Sequence, residues 1–349
     1  MNAVLVRRIP SVLALWSVGI AILAISIAVA VTIGSSSVGA RDVWQLVWSE
    51  IGFGTTDLSP IQQGIIWDLR LPRSVLAAVC GAGLALCGAV LQSLLRNPLA
   101  DPFVLGVSSG ASTGAVTVVV LGVGAGAIGM AGGAFVGAMA AFGLVLLLVR
   151  LTGSRAADTV ILAGVAATQL FSALTSFIVY TSADPEQTRG VLFWLLGSLA
   201  SAQWSQVVIC AVVVGFGLLV CVLHAGNLDA LTFGNDAAAA LGVHVTRTRT
   251  ILLLATALMT AVIVSTSGAI GFVGLVLPHI ARAVVGMGHR LLLPTVALLG
   301  AVFLVWVDTA ARVVIAPQEL PVGVATALVG VPVFIAIFAM RGRSMGRER

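Results

Sequence analysis

Asp308 and Arg312 are the residues whose types and spacing most directly suggest chemistry, because they stand four positions apart inside a long apolar stretch. Residues at i and i+4 share one face of a helix, and an acid that precedes a base in this way forms a favourable ion pair. A charge inside a bilayer costs about 2.5–3.5 kcal/mol on insertion scales, so each residue needs a partner or a polar cavity. The spacing therefore predicts an intramembrane ion pair between Asp308 and Arg312.

Other kinds of membrane chemistry would need more ionisable groups at depth. An intramembrane enzyme requires paired carboxylates or a Ser/Lys or His/Glu constellation, whereas Asp308 is the only carboxylate deep in an apolar stretch. An ion-coupled secondary transporter needs a free coupling site near the midplane; this class stays open as an alternative, although Asp308 already has a predicted partner. His224, His244, His279 and His289 have no ligand partner at metal-binding spacing. We expect neither catalysis nor a resident metal or cofactor.

The composition is that of a membrane protein. Hydrophobic residues make up 59% of the 349 residues and charged residues 9%, far below the roughly one quarter of charged residues that soluble domains carry. A helical crossing takes about 20 apolar residues, so we predict an all-α membrane protein of about ten spans in a single transmembrane domain, residues 1–349. The predicted spans are residues 11–33, 74–95, 103–121, 127–149, 159–180, 205–223, 249–267, 270–285, 291–315 and 322–340.

All 18 basic residues are arginine. The absence of lysine excludes a GxxxxGK[ST] phosphate loop, so any ATP-driven work needs a partner subunit. No basic patch with interleaved aromatic residues forms, which argues against a nucleic-acid partner.

The distribution of the arginines predicts the orientation of the chain. Ten spans with a cytoplasmic N-terminus place Arg41, Arg70, Arg73, Arg189 and Arg312 outside and the other 13 of the 18 arginines inside. This is the asymmetry of the positive-inside rule, so both termini are predicted to be cytoplasmic.

Residues 96–106 form a polar turn, RNPLADPFVLG, between the second and third predicted spans. Its two prolines forbid a continuous helix and push the residues before them into extended or turn geometry. The turn, called the elbow below, is predicted to be rigid and bent at a membrane boundary. Such a segment suits a gate or a docking surface.

The elbow, the segment LRLPR at residues 69–73 and the segment GAIGFVGLVLPH at residues 268–279 together resemble the FecCD family. The resemblance runs over nearly the whole chain. These proteins are permease subunits of ABC importers for iron-siderophores, haem and cobalamin. The resemblance implies a multi-pass protein of the bacterial cytoplasmic membrane, with spans two to five and seven to ten related as an inverted repeat. Its expected partners are a second permease (an identical copy or a paralogue), two cytoplasmic ATPase subunits and an extracytoplasmic solute-binding protein. Ferric siderophore is the cargo expected first, with haem and cobalamin as alternatives.

The resemblance also implies roles for particular residues at the two ends of the pathway. Arg70 and Arg73 flank a proline at the outer start of the second span, where they would either anchor to lipid headgroups or bind carboxylates bidentately. In the family, matching arginines dock the solute-binding protein, and Arg312 is expected to contribute. Asn97 and Leu99 of the elbow would form the cytoplasmic gate.

The inner loop of residues 224–249 is predicted to contain a short helix that begins with Asn235 or Asp236 as its N-cap and ends at Gly242. The helix either only connects two spans or, as the resemblance implies, inserts into the ATPase as a coupling helix. The residues expected to carry this contact are Gly234, Asn235, Asp236, Ala237, Ala238, Leu241 and Gly242.

The fifth predicted span carries a polar face. Gln169, Ser172, Ser176 and Tyr180 follow at intervals of three and four residues, so they lie along one side of an otherwise apolar helix. They could bond neighbouring helices. The resemblance implies instead that they line the translocation path.

Overall fold

The computed structural model describes residues 2–34, 39–50, 52–53, 55–123, 128–153, 157–182 and 184–346, which form helices joined by turns and loops, without a strand. The helices are α1 Asn2–Thr32, α2 Ala40–Glu50, α3 Pro60–Gly64, α4 Leu71–Leu94, α5 Val107–Leu121, α6 Gly129–Leu151, α7 Ala157–Thr181, α8 Pro185–Leu195, α9 Trp204–Leu223, α10 Ala225–Thr232, α11 Asn235–Ala240, α12 Val245–Ser267, α13 Val273–Val285, α14 His289–Val313 and α15 Val322–Gly346. A π-helical segment, Ile65–Arg70, joins α3 to α4 without a break.

Among the described residues, seven helices are long and apolar enough to cross a membrane: the α3–α4 unit, α6, α7, α9, α12, α14 and, over Ala14–Thr32, α1. Three shorter apolar helices, α5, α13 and Val322–Ile337 of α15, stand where the remaining spans were expected. The all-α membrane class is confirmed. The count of ten crossings, the single domain, the inverted repeat and the orientation stay predictions, and Arg155, Arg347 and Arg349 of the charge count lie outside the described residues.

Helix α4 is the centre of the bundle, with almost every side chain buried, and it packs against α1, α9, α12, α13 and α14. Glycines make the closest approaches. Gly81 faces the backbone of Gly300 on α14, and Gly88 faces the backbone of Gly274 on α13, so a Cβ at either position would collide with a carbonyl group. Small residues let membrane helices pack closely where no hydrophobic effect drives them together. These contacts hold α4 in a fixed position.

A second packed group consists of α5, α6 and α7. Gly110 and Gly114 of α5 lie against the backbones of Gly137 and Gly133 on α6. On the other side of α5, the hydroxyls of Thr113 and Thr175 lie 2.8 Å apart and join it to α7.

The elbow lies between these two groups. Arg96 adopts a positive φ of 48°, which ends the helical path of α4, and Gly106 adopts φ 71° directly before α5. Between them, residues 102–105 form one turn of 3-10 helix. The predicted interruption is therefore observed, and it lies at the end of the bundle where α4 finishes, while residues 70–73 lie at the opposite end.

A short helix, α8, lies between α7 and α9. Asp184 caps α8 by accepting hydrogen bonds from the backbone N–H groups of Glu186 and Gln187 at 2.8 and 3.3 Å. With only the residues Pro185–Leu195, α8 is too short to span a bilayer.

Candidate functional site

A network of charged side chains lies at the end of the bundle where α4 begins. Arg73 Nε donates to both carboxylate oxygens of Asp308 at 3.1 Å, and Nη2 donates to Oδ1 at 3.0 Å. Arg73 Nη1 donates to Glu319 at 2.9 and 3.1 Å. The Asp308 side chain is 1% exposed and that of Glu319 is 37% exposed. Arg73 thus joins a buried acid to one that reaches the surface.

The predicted pair of Asp308 and Arg312 is confirmed, with Arg312 Nε 3.4 Å from Asp308 Oδ2, but it is the weaker of the two contacts of Asp308. The hydrogen bonds of the carboxylate go to Arg73 on α4. Sequence spacing could find the i,i+4 partner and could not find a partner 235 positions away, because only the packing of α4 against α14 brings them together.

Arg70 and Arg312 bind the end of α1. Arg70 Nη1 donates to the carbonyl of Val31 at 3.0 Å, and Arg312 Nη2 donates to that of Ala30 at 3.1 Å. The last carbonyls of a helix have no hydrogen-bond donor within the helix. Here the guanidinium groups of Arg70 and Arg312 act as the donors. All three arginines expected to dock a protein are therefore largely buried and bonded within the chain.

These three side chains nevertheless line one cavity of about 620 Å³, together with Glu319. The family resemblance predicted that Arg70, Arg73 and Arg312 act together, and the structure places them around the same opening. Glu319 was missed, because it lies in the short connection between α14 and α15, which has no local motif.

At the opposite end, the elbow presents Leu99 at its tip. The backbone N–H of Leu99 donates to Asn97 Oδ1 at 2.9 Å, which fixes a tight turn after the half-buried Asn97. The Leu99 side chain is 52% exposed. Asp101 Oδ1 accepts a hydrogen bond from the N–H of Phe103 at 3.0 Å, and desolvation raises the pKa of Asp101 to about 6. The elbow is thus internally bonded while its apolar tip stays uncovered within this chain.

Residues 224–249 contain α10, α11 and the start of α12, and the expected short helix corresponds to α11. The expected N-cap was wrong: Gly234 holds that position with φ 110°, and Asn235 and Asp236 are the first residues inside α11. A glycine is favoured there because other residues rarely adopt such a φ. The prediction that Gly242 ends the helix is confirmed, since it follows Leu241 with φ 82°. Asn235 Oδ1 instead accepts a hydrogen bond from Arg249 Nη2 at 3.2 Å, which ties α11 to α12.

Behind these helices lies a buried polar contact that sequence reasoning missed. His289, the first residue of α14, bonds Asp229 of α10 through Nδ1 at 2.6 Å and Ser93 of α4 through Nε2 at 2.6 Å. The adjacent Gln92 accepts a hydrogen bond from Arg282 of α13 at 2.7 Å. No spacing rule joins residues so far apart in sequence.

The polar face of α7 is largely exposed in this chain. Gln169, Ser176 and Tyr180 are exposed, Tyr180 at 88%, and Ser172 is half-buried. Thr175, on the other side of the helix, is buried and bonds Thr113. The four predicted lining residues thus share a face that points away from the packed α5–α7 contact.

Comparisons with known proteins agree over most of the chain. A family model described as the FecCD transport family matches residues 22–340. The chain is 40% identical over 341 residues to YvrB of Bacillus subtilis (strain 168), an uncharacterized ABC transporter permease protein, covering 96% of each. It is 44% identical over 279 residues to BtuC of Halobacterium salinarum, a cobalamin import system permease protein, covering 80% of this chain and 74% of the relative. A solved structure, described as an inward-facing conformation of a metal-chelate type ABC transporter, matches with a TM-score of 0.81 at 31% identity, over 94% of this chain and 99% of that one.

Proposed function

The chain belongs to the FecCD transport family, and on this basis we propose that it is the permease subunit of an ATP-driven importer that carries a metal chelate into the cytoplasm. As an ABC transporter permease it is not an enzyme, and ATP hydrolysis takes place in a separate subunit. The observation that carries the proposal is the whole-chain likeness to the metal-chelate transporter, with a TM-score of 0.81 over 94% of the chain.

The working assembly has two permeases, two ATPase subunits and a solute-binding protein. We assign the end with the elbow and α11 to the cytoplasm and the end with Arg70, Arg73 and Arg312 to the outside. The excess of arginines predicted for the inner loops supports this assignment, and both termini are then cytoplasmic.

Asn97 and Leu99 form the cytoplasmic gate in this proposal. The exposed Leu99 side chain meets its counterpart from the second permease, and the two apolar tips close the path until the subunits move apart. The exposed polar face of α7, formed by Gln169, Ser172, Ser176 and Tyr180, lines the path above the gate. A weakly polar wall suits a large chelate that must not bind tightly in transit.

The solute-binding protein docks at the arginine cavity through a carboxylate. Because Glu319 is the exposed partner of Arg73, an incoming carboxylate competes with it for Nη1, while Asp308 keeps the rest of the guanidinium in place. Glu319→Gln should therefore strengthen binding of the solute-binding protein, since it removes a competing charge, and Arg312→Gln should weaken it. Binding to the purified importer, measured by surface plasmon resonance, tests both, and equal affinities for the two variants would contradict this docking mode.

Residues 234–242 around α11 contact the ATPase. The helix is short and rich in alanine, so it can enter a shallow cleft on a partner, and its bond from Asn235 to Arg249 ties it to α12.

Cargo identity has three candidates: ferric siderophore, haem and cobalamin. Ferric siderophore is the cargo expected from the sequence, and cobalamin is favoured by the 44% identity to a cobalamin permease. A strain that lacks the permease, with and without the restored gene, should be offered radiolabelled ferric siderophore, haem and cobalamin separately. Gene-dependent uptake of one chelate identifies the cargo, and the absence of gene-dependent uptake of every chelate would contradict the proposal.

A further inference from the structure

The partly buried contact among Asp229, His289 and Ser93 connects α10 to the last turn of α4. Asp229 lies on α10, next to the ATPase-contacting α11, and Ser93 lies in the last turn of α4, directly before the gate. His289 stands between them, with 2.6 Å to Asp229 Oδ1 on one side and 2.6 Å to Ser93 Oγ on the other. We infer that this histidine transmits movement of the ATPase-contacting helices to the gate; the inference rests on the proposed function.

The hydrogen bonds of the link, formed by Asp229, His289 and Ser93, fix the orientation of the imidazole ring. Asp229 Oδ1 accepts from both the backbone N–H of His289, at 3.0 Å, and its ring Nδ1, so the imidazole is held in one orientation. The other nitrogen, Nε2, then points at Ser93 Oγ. Both partners of the ring are set by geometry, since hydrogen bonds lose strength steeply when they bend.

The chain of bonds continues into the gate. The backbone N–H of Arg96 donates to the carbonyl of Ser93 at 3.3 Å, and the N–H of Asn97 donates to the carbonyl of Gln92 at 3.1 Å. A displacement of the last turn of α4, which contains Gln92 and Ser93, therefore acts directly on the backbone of Arg96 and Asn97.

Exposure along the link changes from one end to the other. The Asp229 side chain is 42% exposed and that of His289 is 2% exposed. A partner bound at α10 and α11 can thus reach the acid, while the histidine is shielded from water. A hydrogen bond in a shielded environment is costly to leave unmade, so the buried end moves with the exposed end rather than separating from it.

Apolar packing alone does not provide the same transmission. Helix α10 also packs against α4 and α14, with Leu228 and Leu231 buried, and such contacts are non-directional. A cavity of about 540 Å³ lies beside the link, lined by Thr232 of α10, by Arg96 and Pro98 of the elbow, and by Ser93 and His289. The space lets α10 move relative to the elbow, and the histidine link determines that Ser93 moves with α10.

The test uses the assembled importer in proteoliposomes, with ATP hydrolysis and cargo accumulation measured on the same samples. We expect Ser93→Ala, His289→Ala and Asp229→Asn to keep ATP hydrolysis and to lower cargo moved per ATP by roughly five- to tenfold, within the range of typical coupling between sites. Ser93→Thr, which keeps the hydroxyl, should retain normal coupling. Thr250→Ala and Asp158→Asn are matched controls, since they remove a hydroxyl and a charge from exposed positions outside the link.

A second readout is independent of cargo. In the purified permease, Asp229→Asn should accelerate hydrogen exchange of the elbow amides, although the side-chain bonds of Asp229 go to His289. The controls should leave exchange unchanged. Unchanged exchange together with normal transport per ATP would overturn the link, as would a parallel loss of hydrolysis and transport. Failure of the wild-type importer to move any chelate would instead refute the proposed function.

Discussion

At the residue scale, the arginines at the end of the bundle where α4 begins are already bonded within the chain. Arg73, one of the arginines expected to dock a protein, is bonded by both Asp308 and Glu319. Arg70 and Arg312 hold the carbonyls at the end of α1. Any docking at this end must therefore work through a network that already stabilises the fold.

Breaking the pair of Arg73 and Asp308 should destabilise the protein strongly. Asp308→Asn leaves Arg73 only the partly exposed Glu319, and Arg73→Gln leaves Asp308 only the longer contact to Arg312. Removing one partner of a buried ion pair typically costs about 3–5 kcal/mol. Glu319→Gln is the matched control, because that acid is 37% exposed and exposed pairs contribute only about 0–1 kcal/mol. The midpoint of thermal denaturation in detergent measures all three, and equal midpoints for Asp308→Asn and the control would show that the pair has no structural role.

Shortening Leu99, the proposed gate side chain, should make the importer leaky. Leu99→Ala removes most of the exposed apolar tip of the elbow, so we expect solute to cross proteoliposomes that contain the assembled importer without ATP. Leu151→Ala is the control, since Leu151 is 73% exposed at the end of α6 and lies outside the elbow. Release of a trapped fluorescent dye measures the leak; an intact barrier in Leu99→Ala would argue against this residue as the seal.

At the element scale, local signals predicted the segments well and their contacts poorly. Apolar length located the long helices, and the two prolines of residues 96–106 located the elbow, because both effects depend on neighbouring residues alone. The N-cap of α11 was misplaced, since asparagine and aspartate are favoured caps but the backbone conformation at Gly234 requires glycine. The bonds of Arg73 to Asp308 and of His289 to Ser93 arise only when distant helices pack, which no local pattern reports.

The contact of α5 with α6 should depend on the absence of side chains. A Cβ at Gly114 would collide with the carbonyl of Gly133, whereas Gly143 on α6 has open space around it. We expect Gly114→Ala to lower the free energy of unfolding by about 1–3 kcal/mol, as overpacking typically does. Gly143→Ala, the control, should leave stability unchanged or raise it by about 0.5–1 kcal/mol. Thermal denaturation compares them, and equal stability of the two variants would contradict the packing.

At the scale of the whole molecule, the two ends of α4 carry different candidate sites. One end carries the arginine cavity, where a solute-binding protein is proposed to deliver cargo. The other carries the elbow, α10 and α11, which are proposed to contact the ATPase, and the buried His289 between them. Because α4 is buried along almost its whole length, both ends belong to one rigid element, which suits a permease that must open one side while it closes the other.

The central claim, ATP-driven import of a metal chelate, is tested most directly by reconstitution. The permease is placed in proteoliposomes with its ATPase subunits and solute-binding protein, and accumulation of radiolabelled chelate is measured over time. Accumulation should require ATP, the ATPase subunits and the binding protein together. Accumulation by the permease alone under a proton or sodium gradient would contradict the claim and identify the chain as an ion-coupled transporter.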